Sequence, residues 1–218
     1  MVDLKLLAHL ESFLTAKRKN RFDEVLSNRT KHITVAIEDV YQLHNTSAVM
    51  RSCEVFGIQE LHIIEERNTK KIDREIALGA QKWVDVKRFT SVADCIGNLR
   101  ERGYQIVAST PHSYNYKLED FDVAKKACIF FGCETEGLSE EVLDQADTFI
   151  NIPMVGFTES LNVSVSAAIV LQHLTSRLRQ TNVNWKLTDE DKNLKKMEWI
   201  KKTIHSYDEI VARFNRVK

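Results

Sequence analysis

With 218 residues, 43% of them hydrophobic, and 31 basic against 31 acidic side chains, the chain can bury one sizeable core and does not have the composition of a disordered segment. Its longest apolar runs, such as Ala167 to Leu171, fall far short of the roughly 20 residues that cross a bilayer, and the opening MVDLKLLAHLESFLTAKRKNR carries acids within its apolar stretch, so neither a membrane span nor a signal peptide is expected. Cys53, Cys95, Cys128 and Cys133 show no CxxC spacing and no histidine pattern, which argues against a zinc site or a disulfide framework. The expectation is a cytoplasmic protein with reduced thiols and no metal requirement.

Leu4, Leu7, Leu10 and Phe13 or Leu14 recur at helical spacing, which predicts an opening amphipathic helix continuing toward Leu26. From Ile33 the pattern alternates. ITVAIEDV (33–40) reads as a strand, Thr46 to Phe56 as a helix ended by Gly57, and ELHIIE (60–65) as a second strand. A short helix near Arg74 to Ala80 precedes the strand WVDVKRF (83–89), and Ser91 caps a helix that stops at Gly103. YQIVAST (104–110) and ACIFFG (127–132) suit the centre of a buried sheet, SEEVLDQA after Ser139 a helix, and TFINIPM (148–154) a further strand. Leu161 to Leu178 is a long apolar helix with small residues at Ser164, Ser166, Ala167 and Ala168. The polar stretch from Gln180 to Asn193 is a linker with an N-cap before helical segments at Met197–Ile204 and Tyr207–Phe214. Strands alternating with helices predict an α/β fold, a mostly parallel sheet with helices on both faces.

Charge is unevenly distributed along this pattern: seven cations against four anions (+3) over 1–31, 15 against 21 (−6) over 32–180, and nine against six (+3) over 181–218. Basic ends around an acidic middle suggest arms that grip a phosphate backbone. The division follows as a helical extension at 1–31, a core domain at 32–180 and a second helical extension at 181–218.

Common nucleotide and hydrolase signatures are absent: GxGxxG after a strand, a Walker loop, HExxH and GxSxG. Three strand-to-helix loops stand out instead. HNTSAVMR (44–51) offers Asn45 and Arg51, FFGCETEGLSEE brackets Glu134 and Glu136 with Gly132 and Gly137, and IPMVGFTESLNVSVSAA (152–168) places Ser160, Asn162 and Ser164 at a helix start, where free N–H groups gather. Taken singly, each also reads as ordinary capping, with Asn45, Ser139 and Ser160 as N-caps.

Taken together and in order, these segments resemble the SpoU–TrmH group of the SPOUT methyltransferases: Asn45 with Arg51, Gly132-Cys133-Glu134 followed by Gly137-Leu138-Ser139, and Ile152-Pro153-Met154 followed by Ser160-Leu161-Asn162-Val163-Ser164. The resemblance is strongest to the branch that methylates guanosine 18 in the D loop of tRNA. It implies a C-terminal trefoil knot, an exception to the rule that chains avoid knots. It further implies a homodimer with the active site near the interface, and S-adenosyl-L-methionine held mainly by backbone groups at Thr110, Gly132, Ile152 and Leu161. Arg51, Asn45, Glu134, Ser160 and Asn162 form the implied catalytic set, with Arg51 holding a substrate phosphate beside the ribose 2′-hydroxyl, or Glu134 serving as base. Contacts to tRNA are expected from Lys17, Arg18, Lys19, Arg21, Arg29, Lys31, Arg177 and Arg179, and Tyr114, Tyr116 and Phe157 are candidates for base stacking. Other readings stay open at this point. The same chemistry could act on ribosomal RNA or the tRNA wobble nucleotide, the chain could be a noncatalytic knotted RNA-binding protein, and a Ser160 hydrolase lacks a recognised histidine partner.

Overall fold

A computed structural model describes residues 2–40, 43–65, 77–111, 117–133 and 135–216. The chain divides into two compact units, Thr30–Trp185 and a second one made of both chain ends, Met1–Arg29 with Lys186–Lys218. Among the described residues, no helix is long and apolar enough to cross a membrane, and no cluster of three His, Cys, Asp or Glu side chains could hold a metal ion.

In the larger unit, β1 (Ile33–Glu38), β2 (Glu60–Ile64), β3 (Asp85–Phe89), β4 (Gln105–Ser109), β5 (Ala127–Phe131) and β6 (Thr148–Ile150) form one six-stranded sheet. Every pairing is parallel, in the order β3-β2-β1-β5-β4-β6. Strands β1, β2 and β5 are buried along their whole length, which is why β1 and β5 read as near-continuous apolar runs rather than alternating ones. One face packs Ile33, Val35, Ile37, Leu61, Ile129 and Phe131 against helices α3 (Leu43–Phe56) and α6 (Val163–Leu178). The other packs Ala36, Ile64, Ile106, Cys128 and Phe130 against α4 (Val92–Glu101) and α5 (Glu140–Gln145). Helices thus cover both faces of an all-parallel sheet, as the alternating pattern predicts.

The smaller unit holds α1 (Leu4–Glu11), α2 (Ala16–Ser27), α7 (Asp189–Lys201) and α8 (Tyr207–Arg216). The single opening helix expected from the leucine spacing is two helices. The first ends at Ser12, whose hydroxyl donates to the His9 carbonyl at 2.7 Å, and the second begins after Thr15, which accepts from the Arg18 amide. Leucine periodicity runs through this break; the hydroxyl caps that interrupt it are local. Leu7, Leu10, Phe22, Leu26, Leu187, Trp199 and Ile200 are buried in this unit, and Lys196 bridges Glu11 and Asp23 at 2.9 and 2.5 Å. Arg29 is 1% exposed, with its guanidinium 5.7 Å from the centre of the Trp199 ring. Its burial corrects its assignment to the RNA-facing surface: a cation covered by protein cannot meet a phosphate. Residues 74–76 of the expected short helix lie outside the described residues; Ala80–Lys82 forms a 3-10 turn.

Candidate active site

The C-terminal ends of parallel strands are where open α/β sheets hold ligands. Here Ser109, Thr110 and Pro111 at the end of β4, the loop after β5 through Gly132, Cys133, Gly137 and Leu138, and the segment before α6 through Ile152, Met154, Ser160 and Leu161 line a cavity of about 310 Å³. The described lining residues include the carboxylates of Glu136 and Glu159 but no lysine, arginine or histidine.

The second of these loops is closed on itself. Cys133 and Gly137 exchange backbone hydrogen bonds, each 3.1 Å, and the Glu136 amide donates to the Cys133 Sγ at 3.4 Å. Gly137 adopts φ +75°, a left-handed conformation that suits glycine. Gly132 is required for a different reason: a Cβ there would lie 2.1 Å from the carbonyl carbon and oxygen of Gly137. The loop is then fastened to the sheet. The Ser139 amide donates to Oε2 of Glu38 at 2.9 Å, Glu38 ending β1 at 5% exposure, and the Ser139 hydroxyl caps α5 by accepting from the Val142 amide. Glu38 carried no signal in the sequence, because its partner is 101 residues away.

The third loop is fastened by Asn162. Its Oδ1 accepts from the Ser164 amide at 2.9 Å and the Ser164 hydroxyl at 2.6 Å, and its Nδ2 donates to Oδ1 of Asn45 at 3.1 Å. Asn162, not Ser160, is therefore the N-cap of α6. Asn45 is not an N-cap either, because α3 begins at Leu43; buried in the first turn, its side chain ties α3 to the start of α6. Ser160 is exposed at the cavity wall.

The profile of the SpoU rRNA methylase family matches residues 32–172. The chain belongs to the SpoU methylase family. This SpoU family chain is 35% identical over 212 residues to a tRNA (guanosine(18)-2′-O)-methyltransferase of Borreliella burgdorferi, covering 97% of each chain. Among solved structures, a TrmH/SpoU tRNA modifying enzyme of A. aeolicus superimposes with a TM-score of 0.77 at 30% identity, over 86% of this chain and 97% of that one. The SpoU methyltransferase AviRb of Streptomyces viridochromogenes, solved in complex with the cofactor AdoMet, shares the fold with a TM-score of 0.65 at 20% identity, over 72% and 65% of the two chains.

In this SpoU family structure the candidate residues divide into those that meet and those that stand apart. Thr110, Gly132, Ile152, Leu161 and Ser160 line one cavity, and Asn45 and Asn162 touch at its margin. Arg51 is exposed, in line with exposed His44 and Val55 along the outer side of α3, and does not line the cavity of its own chain. Glu134, Tyr114 and Tyr116 lie outside the described residues, whereas Phe157 is fully exposed on the third loop. Lys17, Arg18 and Arg21 are exposed on α2, and Lys19 is half-buried there. Two other expected RNA contacts already have duties inside the larger unit. Arg177 donates to the Leu118 carbonyl at 3.2 Å, and Arg179 to the Phe56 carbonyl at 2.8 Å while lying over Trp185.

Proposed function

We propose that this SpoU methylase transfers the methyl group of S-adenosyl-L-methionine to the ribose 2′-hydroxyl of guanosine 18 in the D loop of tRNA. What carries the reading is the coincidence of the three loops in one cavity within a chain that matches a tRNA (guanosine(18)-2′-O)-methyltransferase along nearly its whole length.

The cavity fits the cofactor. Gly132 approaches Gly137 so closely that only backbone can face a ligand there, and a lining with no cation among its described residues suits a sulfonium. Thr110, Gly132, Ile152 and Leu161 would hold it; when bound it supplies an already activated methyl. The chain's own task is then alignment and the disposal of one proton. Arg51 supplies a planar guanidinium fork that matches phosphate oxygens. It holds a substrate phosphate beside the 2′-hydroxyl and stabilises the developing alkoxide, the proton leaving to a phosphate oxygen or to Glu134. Ser160 positions the ribose, while Asn45 and Asn162 brace the two helix starts.

The outward placement of Arg51 supports a homodimer, in which an arginine that misses its own cavity meets RNA near the interface. The apolar residues Leu161, Val165 and Ile169, 40, 45 and 39% exposed at four-residue spacing, supply a face for the second copy. A trefoil knot is the reading of how Ile152, Met154, Ser160 and Leu161 come to line one cavity with Thr110 and Pro111 and with Gly132 and Gly137. The helical extension at 1–31 serves the RNA through Lys17, Arg18, Lys19 and Arg21, and along the chain it and the extension at 181–218 flank a catalytic domain at 32–180.

The test is incubation with labelled S-adenosylmethionine and unmodified tRNA, with the modified nucleotide mapped by mass spectrometry. Label on the guanosine 18 ribose is expected. An Arg51→Ala chain should lose at least 100-fold of this transfer while still binding tRNA; full activity in that variant removes Arg51 from the mechanism.

A further inference from the structure

At the opposite, N-terminal edge of the sheet lies a second polar constellation, which the transfer reaction does not use. Glu60, the first residue of β2 and 4% exposed, is the common partner of three cations: Arg102 hydrogen-bonds one carboxylate oxygen, Lys87 Nζ lies 3.6 Å from the same oxygen, and Lys31 Nζ lies 3.9 Å from the other. Tyr104 gathers a fourth. Its ring lies 4.2 Å below Lys126 Nζ and 5.1 Å from the Arg102 guanidinium, its hydroxyl donates to the Lys31 carbonyl at 2.6 Å, and Lys126 Nζ donates to the Arg102 carbonyl at 2.9 Å.

Lys87 and Arg102 thus converge on one oxygen of a single carboxylate. The crowding is felt at Lys87, whose ammonium is held below its usual range by partial burial, with Arg102 and Lys31 adding to the effect against the pull of Glu60. Glu60 itself, despite the burial that opposes ionisation, is held below the usual carboxylate range by Arg102 and Lys87. The cations remain accessible, with side chains 24% (Lys31), 26% (Arg102) and 38% (Lys87) exposed. With Lys126, they come from in or just before β3, β1, β5 and β4, and so are spread along a row of strands at one end of the sheet. This geometry suits successive phosphates of a chain better than one compact anion. It also stands out against its background, since residues 32–180 carry a net charge of −6.

We infer that Lys31, Lys87, Arg102 and Lys126 form a binding patch for the phosphate backbone of RNA, on the edge of the sheet opposite the methyl-transfer cavity. The inference rests on the reading of the chain as a tRNA-modifying enzyme, and it places a second, sequence-independent grip on that substrate. Strands of five residues separate the two edges by roughly 17 Å, a span that a folded RNA easily exceeds. The patch is drawn from four separate stretches of chain, so no window of the sequence displays it.

The experiment measures tRNA binding by fluorescence anisotropy across a salt series for the full chain and for Lys87→Ala, Lys126→Ala and the double variant. Each lysine removed should make the plot of log affinity against log salt shallower by about 0.7 to 0.9, and the double variant should bind roughly tenfold more weakly near 0.1 M salt. Lys87→Arg should keep the slope, and S-adenosylmethionine affinity should stay at the level of the parent chain in all four. An unchanged slope in the double variant, even with weaker binding, overturns the patch and leaves a structural ion network. The two readings separate cleanly. A parent chain that methylates no tRNA, while its variants still lose slope on generic single-stranded RNA, defeats the substrate assignment and keeps the patch. A parent that methylates tRNA, with variants of unchanged slope, does the reverse.

Discussion

At the C-terminal ends of β4 and β5 the molecule presents backbone, hydroxyls and apolar side chains with two carboxylates and no cation among the described lining residues, whereas at the N-terminal edge three cations share Glu60. The first region is shaped by close approach: loops so near one another that Gly132 has no room for a methyl group. The second is shaped by charge on side chains that keep part of their length in water. The difference matches the ligands each would take. A small, positively charged donor suits a wall whose described residues carry no cation, and a polyanion suits a row of cations whose contribution weakens with salt.

The contrast is broken most severely at Gly132. Gly132→Ala should abolish measurable cofactor binding, a loss of at least 100-fold by calorimetry, because the Cβ meets the Gly137 carbonyl at 2.1 Å and the loop must open; retained affinity would mean that the loop is not a rigid wall. The charged edge is tested by acid. His62, 0% exposed beside Glu60, has its pKa pushed down to about 4 by burial, with Lys87 and Arg102 adding to the effect and Glu60 opposing it. The unfolded imidazole takes up a proton near the usual 6.5 and the folded one does not. Stability to urea should therefore be flat above that pH and fall as pH drops from 6.5 to about 4, at up to about 1.4 kcal/mol per pH unit. His62→Phe should flatten this part of the profile, and an unchanged acid slope would assign the loss to other groups. The smallest effect belongs to the seam at the cavity margin. Asn162→Ala removes the α6 cap and the bond to Asn45, and should cost about 1 to 2 kcal/mol in chemical denaturation.

How much of this was legible in the sequence depended on range. The caps at Ser91 and Ser139 and the strand-to-helix order could be read because their signals lie within a few residues. The motif residues of the cavity could be read because the family resemblance ties distant segments together, which periodicity alone does not. The partnership of Glu38 with Ser139, of Asn45 with Asn162 and of Glu60 with its cations could not, since each joins residues far apart in the chain and neither partner is unusual where it stands. Arg29 shows the opposite hazard. Its charge, in a basic segment, pointed to RNA, while Trp199, far along the chain, provides an aromatic face that covers it.

The hydrogen bond from Asn162 to Asn45 spans 117 residues, and α6 supplies Val163, Ala167, Val170, Leu171 and Leu174 to the core that also holds Val49 and Met50 of α3. During synthesis, all six strands leave the ribosome before this helix does. Until it follows, the nascent sheet has one incompletely covered apolar face and no finished cavity, a state of the kind that chaperones bind. Methyl transfer is thus unavailable to a chain still in translation at this point, and the enzyme becomes competent only when its α6 helix has been delivered and docked.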